Sequence, residues 1–93
     1  MLIANGSHLV VCSDAEGGLR ISASGELDET GCRRLNEAII AALRSGAPRV
    51  EIDLRDAERG DRDMHRVLQA GEALAGHLGV EYRVSGRRAA RSD

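Results

Sequence analysis

The stretch "RVEIDLRDAERGDRDMHRVL", residues 49–68, changes its period in the middle. Val50, Ile52 and Leu54 alternate with Glu51 and Asp53, the pattern of a strand with one buried face. From Met64 onward the apolar positions fall at helical spacing instead: Val67, Leu68, Gly71, Leu74, Ala75 and Leu78 continue the stripe. Between the two lies a charged join, in which Asp61 or Asp63 can cap the helix. A strand running through a short join into an amphipathic helix is half of a βαβ unit, and it sets the fold class as α/β.

The flanking segments repeat the scheme. "HLVVCSD", residues 8–14, is a short apolar run, followed by "AEGG", in which Gly17 and Gly18 can take positive φ and form a hairpin turn. "LRISASGEL", residues 19–27, alternates, with Leu19, Ile21 and Ala23 on one face and Arg20, Ser22 and Ser24 on the other. Asp28 is the candidate N-cap of a first helix whose stripe is Cys32, Leu35, Ala38, Ile39, Ala42 and Leu43. Gly46 ends that helix and Pro48 prevents a restart. Gly79 stops the second helix, and Val80, Tyr82 and Val84 form the face of a last strand. The expected order is strand, strand, helix, strand, helix, strand: a small mixed sheet of about four strands with the helices packed on one face. The strands at Val50 and Val80 should be parallel neighbours.

Composition narrows the function classes. The chain has 93 residues, enough for one domain with a thin core. Residues 1–6 read as an N-terminal tail, 7–86 as the domain and 87–93 as a basic, disordered C-terminal tail carrying Arg87, Arg88 and Arg91. Phe and Trp are absent and Tyr82 is the single aromatic residue. Stacking platforms for single-stranded nucleic acid are therefore missing. A formal net charge of -2 argues against broad binding to a phosphate backbone. No apolar run approaches the length needed to cross a bilayer, and no basic, apolar leader opens the chain. The expected location is cytoplasmic, without membrane insertion or direct contact with nucleic acid, and with Cys12 and Cys32 as free, buried thiols.

Catalytic and metal chemistry find little to use. His8, Cys12, Cys32, His65 and His77 are the available soft ligands, and only His8 and Cys12 share a strand face at close spacing. No second ligand pair completes a site, so neither a metal nor another cofactor is expected. His65 beside Asp61 lacks a nucleophile, and the helical spacing of Cys32 makes it core. The expectation is a non-enzyme.

Four stretches in order now carry a resemblance. "SGELDETG" (24–31) resembles the G-x-L-D strand-to-helix junction of the STAS domain, the family named for sulfate transporters and anti-sigma-factor antagonists. "RVEIDLRD" (49–56) resembles its central strand, "DRDMHRVL" (61–68) falls where the family has Asp-Ser-x-Gly and an apolar helix, and "LGVEYRVSG" (78–86) resembles the strand after it. The resemblance implies a bacterial, stand-alone binding module. Its partner would be an anti-sigma factor with a histidine-kinase-like ATPase fold, which phosphorylates the Ser or Thr after the loop Asp. Here Asp61 matches that Asp, Arg62 stands at the phosphorylated position and Met64 replaces the glycine.

Arginine has no hydroxyl to accept a phosphoryl group, and no Ser or Thr lies between Ser45 and Ser85. The implied function is an anti-sigma-factor antagonist without its covalent switch, regulating transcription by binding alone. The alternative is an accessory subunit on the ATPase of a membrane lipid transporter. The expected partner-binding residues are Asp28, Arg59, Asp61, Arg62, Asp63, His65 and Arg66, although Asp61 reads first as a helix cap and Met64 as core. "AERG" (57–60) supplies only Ala57 as an apolar anchor, so a solvated, mobile loop is expected there. The family's C-terminal helix is expected to be missing, which would favour a homodimer or a covering partner.

Overall fold

A computed structural model describes residues 8–58 and 62–86. The elements appear in the expected order: β1 (His8–Ser13), β2 (Leu19–Glu26), α1 (Glu29–Arg44), β3 (Arg49–Glu58), α2 (Arg62–Leu78) and β4 (Glu81–Ser85). The four strands form one sheet in the order β1-β2-β3-β4. β1 and β2 form an antiparallel hairpin; β2–β3 and β3–β4 are parallel, joined through α1 and α2. The expected small mixed sheet is therefore present, with parallel neighbours at Val50 and Tyr82. The expectation of a missing C-terminal helix falls on 87–93, outside the described residues.

Period two and period 3.6 meet in a single core. Ile21, Ala23, Val50, Ile52 and Leu54 supply the sheet side, and Cys32, Leu35, Ile39, Ala42, Leu43, Leu68 and Ala75 the helix side. Ile21, Leu35, Ile39, Val50 and Ile52 are fully buried. Each such side chain contributes about 1.5–3 kcal/mol relative to exposure. No polar or charged side chain is buried among the described residues. The other face of the sheet is open and carries a polar network: Glu51 accepts from Arg20 Nη2 at 3.5 Å and from Ser85 Oγ at 2.8 Å, joining β2, β3 and β4.

Three expectations need correction. Of the two hairpin glycines, only Gly17 takes positive φ (88°). Gly18 is needed for space: a Cβ there would lie 2.7 Å from Asp14 Oδ2 and 2.9 Å from Arg49 Nη2. Cys12 is exposed, since β1 borders the sheet and Cys12 pairs with Arg20 on the open face. Cys32 is buried as expected and its thiol donates to Leu27 O at 3.8 Å. Finally, β3 continues to Glu58, which pairs with Glu26 of β2. The stretch 55–58 is thus strand, and Ala57 is half-buried against the core. A register shift beside Leu54 and Arg55 lets the longer strand keep pace with β2.

Candidate functional site

The parallel strands β2 and β3 both deliver the chain to the same edge of the sheet, so α1 and α2 start side by side there. Asp28 closes the β2–α1 join. Its backbone is extended (φ -81°, ψ -167°), its Oδ1 accepts from Gly31 N at 2.8 Å, and its carbonyl accepts from Cys32 N at 2.8 Å. This N-cap geometry satisfies a helix donor that would otherwise lack a partner, and it contributes about 1 kcal/mol. The Asp28 carboxylate is exposed, yet one of its oxygens is already committed to the helix.

Of the other expected contact residues, Arg59 and Asp61 lie outside the described residues. Arg62 and Asp63 are the first two residues of α2, so Asp63 is inside the helix and is not its cap. As the first residue of α2, Arg62 stands in the sequence where the helix dipole favours negative charge. His65 and Arg66 follow in the same turn, both exposed. Met64 is half-buried against the core, the plainer of its two sequence-level roles.

Residues from α1 complete the surface. Glu29, Cys32, Arg33 and Asn36 face Arg66 and Val67 across an open cleft of about 260 Å³. Glu29, Arg33 and Asn36 were not among the expected contacts. Their i, i+4, i+7 spacing marks a polar ridge beside the Cys32–Leu35–Ile39 stripe, but only the packing of α1 on α2 shows that this ridge meets Arg66. Neither Arg33 nor Arg66 has an ion-pair partner among the described residues. Two guanidiniums from different helices with no ion-pair partner among the described residues, an amide and a carboxylate around a shallow cleft can read acceptor groups on another surface. No nucleophile with an adjacent base is assembled there among the described residues, and no group of His, Cys, Asp and Glu side chains is placed to hold a metal ion.

Beside this edge, Arg55 grips Asp53 in a two-point contact, with Nε on Oδ1 at 3.0 Å and Nη2 on Oδ2 at 2.9 Å; its backbone N–H donates to Oδ1 at 3.0 Å. The guanidinium contact first, and the backbone donor second, hold the Asp53 carboxyl below the usual carboxylate range. β4 leaves the sheet directly over this point. Gly86 (φ 79°) would place a Cβ 2.6 Å from Arg55 N, so the chain passes there only without a side chain.

No family model matches the sequence, and no curated protein matches it in sequence. Solved structures do match. An anti-sigma factor antagonist from Mycobacterium paratuberculosis superposes with a TM-score of 0.75 at 25% identity, over 90% of this chain and 70% of that one. An antisigma-factor antagonist STAS domain from Rhodobacter sphaeroides gives 0.72 at 20% identity, over 86% of each chain. The Bacillus cell fate determinant SpoIIAA in its phosphorylated form gives 0.67 at 14% identity, over 83% of this chain and 68% of that one. Among the described residues no helix is long and apolar enough to cross a membrane.

Proposed function

With a STAS-domain fold as the scaffold, we propose that this chain is a non-catalytic docking module that binds an anti-sigma factor of histidine-kinase-like ATPase fold, and so frees a sigma factor. The surface that binds is the edge where α1 and α2 begin. Asp28 shapes it; Arg33 and Arg66, with Glu29, Asn36 and His65, present the charged and hydrogen-bonding groups. Arg59, Asp61, Arg62 and Asp63 adjoin these residues in the sequence and remain part of the proposed contact set. Charge of both signs favours selection of a partner and fast encounter over raw affinity. A phosphoryl group transferred to a hydroxyl after Asp61 would place a dianion at the helix start; Arg62 offers no oxygen for it. The complex is therefore governed by the amounts of the two proteins.

The observation that carries this reading is the convergence of Arg33 and Arg66, neither with an ion-pair partner among the described residues, on one cleft beside the helix start of an antagonist-type fold. The test is affinity capture from bacterial lysate with ATP present, comparing wild type with Arg66→Glu. Capture of an ATPase of that fold, weakened about tenfold or more by the variant (about 1.4 kcal/mol), is the expected result. Mass spectrometry of the recovered chain should find Thr30 and every serine unmodified. Retention of the same partner at equal strength by Arg66→Glu removes the proposed surface. Recovery of a transporter ATPase instead replaces the proposed partner with a membrane-transport assembly.

A further inference from the structure

The two borders of the sheet differ in how they meet water. β4 presents Glu81 and Arg83, paired at 3.1 Å and both well exposed. Charged side chains along a border are a usual guard against further strand pairing. β1 has no such guard: Leu9-Val10-Val11-Cys12-Ser13 holds no charged residue, no proline and no glycine. Val10 and Val11 are 54% and 53% exposed, the two most exposed large apolar side chains described. They point to opposite faces, since Val11 pairs with the core residue Ile21 and Val10 with Ser22. Val11 is exposed on the helix side because α1 and α2 lie over β2, β3 and β4.

The ladder shows which backbone groups of β1 remain available. Asp14 N donates to Gly18 O at 2.9 Å, which makes Asp14–Gly18 a hydrogen-bonded pair. Such pairs alternate along an antiparallel ladder, so Cys12, Val10 and His8 bond to β2. Leu9, Val11 and Ser13 therefore turn their N–H and C=O groups outward, and no described strand meets them.

We propose that two copies of this chain pair through β1, antiparallel about a two-fold axis at Val11, making one continuous sheet from both. The outward groups of Leu9, Val11 and Ser13 are met by the same groups of the second copy. In that register Val11 faces its own counterpart, Leu9 faces Ser13, Val10 faces Cys12, and His8 faces Asp14. The last pairing sets an imidazole opposite a carboxylate that is 47% exposed, and no like charges meet anywhere along the strand. A slip of one residue would exchange the faces of every side chain. A slip of two residues would lose the His8–Asp14 pairing. The strand is thus complementary to itself in hydrogen bonding, in charge and in the face each valine uses, which selects a second copy over an unrelated segment. The surface lies on a strand that carries none of the helix-start residues, so the dimer and the docking function stand or fall separately.

Sedimentation equilibrium of the full chain from about 1 µM to about 1 mM tests this. The expected result is a reversible monomer–dimer equilibrium. Val11→Lys sets two ammonium groups against each other on the axis, and Val11→Pro deletes an outward N–H that β2 does not use. Each variant should weaken association at least about tenfold while keeping the wild-type circular dichroism spectrum. Cys12 of the two copies would be diagonal neighbours, about 7–8 Å apart. A short bis-maleimide should link them in wild type, and the link should vanish in Cys12→Ser, Cys32 being buried. A wild type that stays monomeric throughout overturns the proposal. So does a dimer that Cys12 cannot link, or one whose strength neither Val11 variant alters.

Discussion

Gly71 sits in the middle of α2 with its backbone pressed against two neighbours. A Cβ built there would lie 2.6 Å from Tyr82 Oη, 3.1 Å from Tyr82 Cζ and 3.0 Å from Ile39 Cγ2. In an exposed helix, glycine to alanine would stabilise by about 0.8–1.0 kcal/mol. At this position the gain is opposed by overpacking, about 1–3 kcal/mol in a well-filled core. Ile39 is fully buried and has nowhere to retreat. The Tyr82 hydroxyl donates to Leu68 O at 3.1 Å, and pushing the ring aside gives up a further ~0.5–1.5 kcal/mol. Gly71→Ala is therefore expected to cost a net ~1–3 kcal/mol.

Gly76 is the internal control. It lies in the same helix with nothing within 4 Å of a built Cβ, so Gly76→Ala should gain up to about 1 kcal/mol. Urea unfolding followed by circular dichroism would measure both. The difference between two identical chemical changes should reach about 2–4 kcal/mol, from the same terms. In heat unfolding each kcal/mol should appear as a shift of about 4–8 °C. Adding Tyr82→Phe removes the closest atom and should recover part of the loss in Gly71→Ala, a coupling of at least ~0.5 kcal/mol. Gly71→Ala as stable as Gly76→Ala would refute the close packing of α2 on β4 and α1, and with it the placement of the cleft.

Three further outcomes are expected. Asp28→Ala should cost about 1 kcal/mol while Asp28→Ser keeps most of it, because the cap needs an oxygen and not a charge; urea midpoints decide this. Arg62→Ser, at the first residue of α2, should stabilise the helix by about 0.3–1 kcal/mol, because that position disfavours a cation; unfolding curves again read it. Stability should also fall in acid with a defined sign. Asp14, held first by Arg49 and then by the Gly18 and Glu16 N–H groups, and Asp53, held by Arg55, both have folded-state pKa values below the ordinary carboxylate value. Their contribution is complete above the unfolded pKa of about 3.9 and is lost as pH drops through the lower folded values. Asp14→Asn with Asp53→Asn should flatten the stability profile below about pH 4; an unchanged acid limb would count against both contacts.

Period and punctuation in the chain were enough to recover the six elements, their order and the core face of every element after β1. A two-residue repeat such as Val50-Ile52-Leu54 or a helical stripe such as Leu35-Ile39-Leu43 buries apolar area in one way only. Asp28, Gly46 and Gly79 were legible for the same reason, because capping and positive φ act within a few residues. What depended on distant partners was not legible. β3 reaches Glu58 because β2 lies beside it to pair its backbone, and the charged side chains of residues 55–58 carry no trace of that partner. Cys12 is exposed because its strand borders the sheet on the open face, a fact about strand order and not about cysteine. The ridge of Glu29, Arg33 and Asn36 joins Arg66 because two parallel strands start their helices at one edge. Local backbone preference and hydrophobic period were written in the chain; adjacency between segments tens of residues apart came only with the folded sheet, whose hydrogen bonds and packing choose the neighbours.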